Sequence, residues 1–164
     1  MTRNRCIFFT MLAGVLLLSP AVRAQGWSAV ASACEPGSDS IGRYVFNEAS
    51  FEFADGVTGT IRTRCQVNNP LDKGLPGWWV LSAGLITGQS GGAYVKATLN
   101  RVSKGDGSIQ TIATLYEDNA PNPFNYSTYF THTFDFTNYA YYVTLEVGRA
   151  VDDELPRVYC ASLN

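Results

Sequence analysis

Histidine is almost missing from this chain: His132 is the only one in 164 residues. A chymotrypsin-like triad needs a histidine and an acid ahead of its serine, and an imidazole-rich metal site needs several such rings. Neither can be assembled from one late histidine. Cysteine is scarce too. There are four, and no two stand in a C-x-x-C spacing, which removes redox pairs and zinc knuckles. Basic residues are not in excess, since 12 Lys and Arg face 14 Asp and Glu for a net charge of −2. A nucleic-acid partner is therefore not expected. After residue 24 no apolar run approaches the roughly 20 residues of a membrane helix, and no capped stripe of 3.6-residue period occurs. Nothing calls for a cofactor or a metal.

What is present begins with an address. Arg3 and Arg5 precede an apolar run from Cys6 to Leu18, which ends at Pro20 and closes on Val22-Arg23-Ala24. A basic start, a short apolar stretch and small residues at the last position and two before it describe a secretory signal peptide. The expected mature chain starts at Gln25 and is exported, extracellular or periplasmic, with no membrane insertion after cleavage. Loss of Arg3, Arg5 and Arg23 lowers the basic residues to 9 against 14 acids, a net charge of −5. Cys6 leaves with the leader, so Cys34, Cys65 and Cys160 remain, enough for one bridge and one thiol left over. Ala31-Ser32-Ala33-Cys34 lies too far beyond the apolar run to be a lipoprotein site. Residues 25–164 are one domain's worth of chain.

The dominant period is two. Phe51 and Phe53 share a face. Ile61, Cys65 and Val67 alternate with Thr60, Arg62 and Arg64, and Val95, Ala97 and Leu99 alternate with Tyr94, Lys96 and Thr98. Tyr139, Tyr141, Val143, Leu145 and Val147 alternate with Tyr142, Thr144 and Glu146. Each run predicts a half-buried strand. Further strands are expected at 44–46, 78–86, 109–116, 128–136 and 157–162, the strand at 128–136 pairing with 139–147. Turn residues such as Asp55-Gly56, Asn69-Pro70 and Gly105-Asp106-Gly107 fall between the runs. Ser103 to Ser108 reads as a hairpin loop, and 117–127, with Pro121 and Pro123, as a long excursion. The expected fold is all-β: a single antiparallel β-sandwich, jelly-roll-like, over about residues 27–163.

Three patterns could carry chemistry. Gly88-Gln89-Ser90-Gly91-Gly92 matches G-x-S-x-G, but a nucleophile elbow needs a helix after its strand, so this is a glycine-rich turn. His132 is in phase with Phe130, Phe134 and Phe136, as expected of a neutral, hydrogen-bonded core or rim residue. A glycosidase needs two acids facing across a groove, and Glu52, Asp135 and Glu146 form no such pair within one strand. Asp152-Asp153-Glu154 lacks the spacing of a calcium loop and reads as solvated.

Aromatic density is the distinctive feature, with nine rings in the 19 residues from Phe124 to Tyr142. Most belong to the core. Tyr94, Tyr129, Tyr142 and Trp78 are expected to point outward, where a ring can stack on the C–H face of a sugar. The expected ligand site is the face carrying Tyr129 and Tyr142, or the adjacent 117–127 loop. A non-enzymatic binding module for a glycan or cell-surface polymer is the leading function. An extracellular polymer hydrolase and a structural envelope or matrix component are the alternatives.

The run His132-Thr133-Phe134-Asp135-Phe136-Thr137-Asn138-Tyr139-Ala140-Tyr141-Tyr142-Val143 resembles a family of small secreted bacterial β-sandwich proteins. Cys65-Gln66-Val67-Asn68-Asn69-Pro70-Leu71-Asp72 and Leu99-Asn100-Arg101-Val102-Ser103-Lys104 belong to the same likeness, which spans about 33–163. It implies a stand-alone all-β module and no particular activity. The family's cysteines match Cys34 and Cys65, whereas a small residue tends to stand at Cys160. The resemblance thus implies a Cys34–Cys65 disulfide and a free thiol at Cys160.

Overall fold

The structure is a computed structural model and describes residues 26–69, 76–88 and 92–164. Residues 1–24, the expected leader, and Ser90 lie outside these residues. Among the described residues eleven strands form two antiparallel sheets packed as a jelly-roll-like sandwich. One sheet runs β3 (Tyr44–Asn47), β4 (Ser50–Phe53), β11 (Arg157–Leu163), β6 (Val80–Ile86) and β9 (Phe124–Tyr129). β1 (Trp27–Val30) takes the part of the β11 edge that β4 leaves free. The other runs β2 (Glu35–Pro36), β5 (Gly59–Val67), β10 (Tyr139–Arg149), β7 (Tyr94–Ser103) and β8 (Ile109–Glu117). No helix among the described residues is long and apolar enough to cross a membrane.

The period-two pattern becomes a core because one face of each sheet is covered by the other. Val143, Leu145 and Val147 of β10 are buried between Cys65, Thr63 and Ile61 of β5 and Leu99, Ala97 and Val95 of β7. Their neighbours Tyr142, Thr144 and Glu146 point away from the core. The hairpin expected at Ser103 to Ser108 is present, closed by Ser103 N–H on the Ser108 carbonyl at 2.9 Å, with Gly107 at φ +74°. Cys34 and Cys65 are bonded across 31 residues of sequence. Closing a loop of that length contributes about 3–4 kcal/mol by restricting the unfolded chain. Cys160 is free. A register shift between Val158 and Cys160 turns it to the outer face of the six-stranded sheet, away from the bridge.

Two expectations are corrected. The strand expected at 128–136 is found earlier, as β9 at Phe124–Tyr129. It starts inside the segment expected to be irregular and overlaps the expected strand only at 128–129, and it pairs with β6 rather than with 139–147. Only residues 118–123, with Pro121 and Pro123, stay outside the strands there. Residues 130–138 then cross to the other sheet. Their apolar alternation serves the end of the core: Phe134 is buried, with ring centroids 5.1 Å from Trp78 and 4.9 Å from Tyr141.

The second correction is Trp78, which is 1% exposed and cannot meet a ligand; its neighbour Trp79 is 58% exposed. Backbone irregularity is the cause. The amides of Trp79 and Val80 both donate to the Asn164 carbonyl, at 2.8 and 2.9 Å, which breaks the alternation just before β6 starts.

His132 is held as expected of a neutral rim residue, its Nε2 3.2 Å from the Tyr141 hydroxyl and its ring edge-on to Phe134. That hydroxyl accepts the Asp135 N–H at 2.9 Å. Burial, then the Arg101 charge, pulls the His132 pKa below 6.5. The folded chain therefore binds fewer protons here than the unfolded chain. Stability is full above about pH 6.5 and falls as the pH drops below it. Urea midpoints at about pH 7.5 and 5.5 should differ for the native chain, and this difference should shrink in His132→Gln, which keeps an acceptor without titrating.

Candidate functional site

The outer face of the five-stranded sheet carries the densest polar arrangement. Register sets it. Glu146 of β10 stands between Arg62 of β5 and Lys96 of β7, and Thr144 between Arg64 and Thr98. Arg62 Nε donates to Glu146 at 2.6 Å, and its other end donates to Asp39 at 2.7 Å. Asp39 belongs to the turn after β2, and Ser40 ties that turn down by accepting the Arg62 N–H at 2.7 Å. Tyr94 Oη donates to the second Glu146 oxygen at 2.8 Å and lies 3.3 Å from the Thr60 hydroxyl. One hydrogen-bonded line thus crosses β7, β10 and β5.

Gly148 is what allows it. It faces Tyr94 on one side and Thr60 on the other, and a Cβ there would overlap the Tyr94 ring. The ring lies over this bare backbone and stacks on Tyr116 of β8, with centroids 5.5 Å apart and planes 24° apart. Tyr116 is 51% exposed, so the pair presents ring surface beside a row of charged groups. Toward β2 the Arg64 guanidinium lies over Tyr142, 5.3 Å from the ring centroid.

The electrostatics follow from this contact set. The hydrogen bond with Glu146 raises the Arg62 pKa against the opposing effect of burial. Burial pushes the Glu146 carboxyl up, but the Arg62 and Tyr94 hydrogen bonds and the Arg62 and Lys96 charges outweigh it, so its pKa falls below 4.5. Burial raises the Tyr94 phenol above 10. All three keep their ordinary charge states across neutral pH.

Of the rings expected to point outward, Tyr94 and Tyr142 share this face. Tyr129 does not join them. It belongs to β9 in the other sheet, 72% exposed and stacked on Trp79 at 5.3 Å. Trp78 is core. The acids that would have to converge for hydrolysis are far apart: Glu52 pairs with Arg157 on the six-stranded sheet, Glu146 is held by Arg62, and Asp135 accepts the amides of Thr137 and Asn138 in a turn. Asp152 pairs with Arg149 and accepts the Gly56 N–H, so the acidic triplet is tied into the protein rather than solvated throughout. Glu35, Asp39 and Tyr116 were missed by sequence reasoning. Arg62, Arg64, Lys96 and Glu146 were legible as outward residues, but their grouping was not.

No family model and no curated protein matches the chain. Among solved structures it is similar to the CBM36-1 domain of a multidomain xylanase from the hindgut metagenome of Trinervitermes trinervoides. That likeness has 10% identity and a TM-score of 0.47 over 85% of this chain and 97% of that one. It is also similar to a family 11 carbohydrate-binding module from Clostridium thermocellum, at 9% identity and TM-score 0.41 over 85% and 86% of the two chains. A family two carbohydrate esterase from Cellvibrio japonicus is similar at 13% identity and TM-score 0.41, over 85% of this chain and 33% of that one. These are likenesses of architecture.

Proposed function

We propose that the chain is an exported, non-enzymatic glycan-binding module, and that the outer face of its five-stranded sheet is the ligand site. The observation that carries this reading is the Tyr94–Tyr116 ring pair set beside the Thr60–Tyr94–Glu146–Arg62–Asp39 line. A sugar offers an apolar C–H face and a rim of hydroxyls. Rings take the first, and charged groups with spare donor or acceptor capacity take the second. All of these side chains except Asp39 stand on paired strands, so little conformational entropy is lost on binding. Five strands at about 4.8 Å spacing span roughly 19 Å, room for several sugar units.

The test is a pull-down of residues 25–164 on insoluble polysaccharides, together with a glycan array. Retention on at least one polymer is expected. Tyr116→Ala should weaken it about tenfold, the size of one lost stacking contact, with little change in melting temperature. Unchanged retention in a folded Tyr116→Ala variant would move the site elsewhere.

A further inference from the structure

At the β2 end of the same face, across the sheet from the strands that carry this ring pair, lies a groove of about 470 Å³ lined by Glu35, Gly37, Asp39, Arg62, Arg64 and Thr144. Its charges divide into spent and open ones. Asp39, Arg62 and Glu146 are joined to each other. Glu35 and Arg64 stand directly opposite in register, yet neither makes an ion pair among the described residues. The guanidinium turns toward Tyr142 instead, which fixes its plane by cation–π contact and leaves its donor edge open.

Resting on the glycan-binding reading, we infer that the ligand is a neutral, hydroxyl-rich polysaccharide, and that Glu35 and Arg64 together hold a vicinal diol of one sugar unit. A carboxylate only accepts and a guanidinium only donates. A hydroxyl does both, so adjacent hydroxyls can donate to Glu35 and accept from Arg64. The charge balance favours the same ligand class. The face presents Glu35, Asp39 and Glu146 against Arg62, Arg64 and Lys96, and residues 25–164, with 9 Lys and Arg against 14 Asp and Glu, carry a net charge of −5. An acidic polymer would meet three carboxylates and an overall negative field, and a polyamine would meet three cations. A neutral chain meets neither penalty. It also satisfies both open groups, which would lose water without replacement under an apolar ligand.

The experiment compares retention on neutral polymers (cellulose, xylan backbone, mannan) and acidic ones (polygalacturonate, alginate), before and after a roughly tenfold rise in salt. Retention on a neutral polymer that is insensitive to salt is expected. Glu35→Gln and Arg64→Gln should each weaken it about tenfold or more, as for a lost charge-assisted hydrogen bond. Both side chains are exposed, so melting temperatures should stay put and separate loss of binding from loss of fold. Preferential retention on an acidic polymer, fading with salt, would overturn the neutral class and leave the glycan reading standing. Neutral binding indifferent to both variants would overturn the diol clamp. Retention on no polymer would overturn the glycan reading itself, and this inference with it.

Discussion

Trp78→Ala should cost about 3–5 kcal/mol of stability, while Trp79→Ala should stay within about 1 kcal/mol. The two residues are adjacent in sequence and differ only in where the backbone aims them. Trp78 packs edge-on against Phe134, which in turn meets Tyr141 and Phe136, so its removal opens a cavity at the heart of the aromatic end of the core. Trp79 loses one stacked contact with Tyr129 and exposes little that was covered. For a domain near 140 residues, the first change should lower the melting temperature by roughly 10 °C or more. Calorimetry on both variants checks the assignment. Equal shifts would place Trp79 in the core as well and contradict the break in alternation at Val80.

Gly148→Ala should dismantle the candidate site without touching a single polar group. The added methyl and the Tyr94 ring cannot occupy the same space, so the ring must leave its seat. With it go the Tyr94–Glu146 hydrogen bond and the stack on Tyr116. Overpacking of this kind costs about 1–3 kcal/mol. Glycan retention should fall at least tenfold, since the lost stacking and hydrogen bond together exceed about 1.4 kcal/mol. A double-mutant cycle isolates the cause. In a Tyr94→Ala background the methyl meets no ring, and the same substitution should then be nearly neutral for stability. A full penalty in that background would mean that Gly148 is required for another reason, and the seat for Tyr94 would not be its role.

The alternation at 57–67, 93–102 and 139–147 was legible because side-chain direction along a strand is a property of the backbone itself. Each run has an apolar phase that only a covered face can satisfy. The run at 128–136 misled for the same reason. Phe130, His132, Phe134 and Phe136 do turn toward the protein, but at the end of the sandwich, where a crossing segment keeps the pattern without the pairing. Trp78 misled because its phase was extended back from β6 through two amides that share one carbonyl. Nothing in the order of residues marks that irregularity.

The sequence by itself determined the sandwich class, most of the strands and which side chains of each strand leave the core. Those follow from local geometry and from the need to bury apolar surface. Tertiary structure alone decided which outward residues become neighbours. Arg62 and Glu146 are 84 residues apart, and Tyr94 and Glu146 are 52 apart. They meet because β10 is seated between β5 and β7. Tyr129 and Tyr142 are only 13 positions apart, yet they lie in different sheets because β9 pairs with β6. Pairing order is a long-range choice made by the whole core, so the outward face of one strand carries no record of the face beside it.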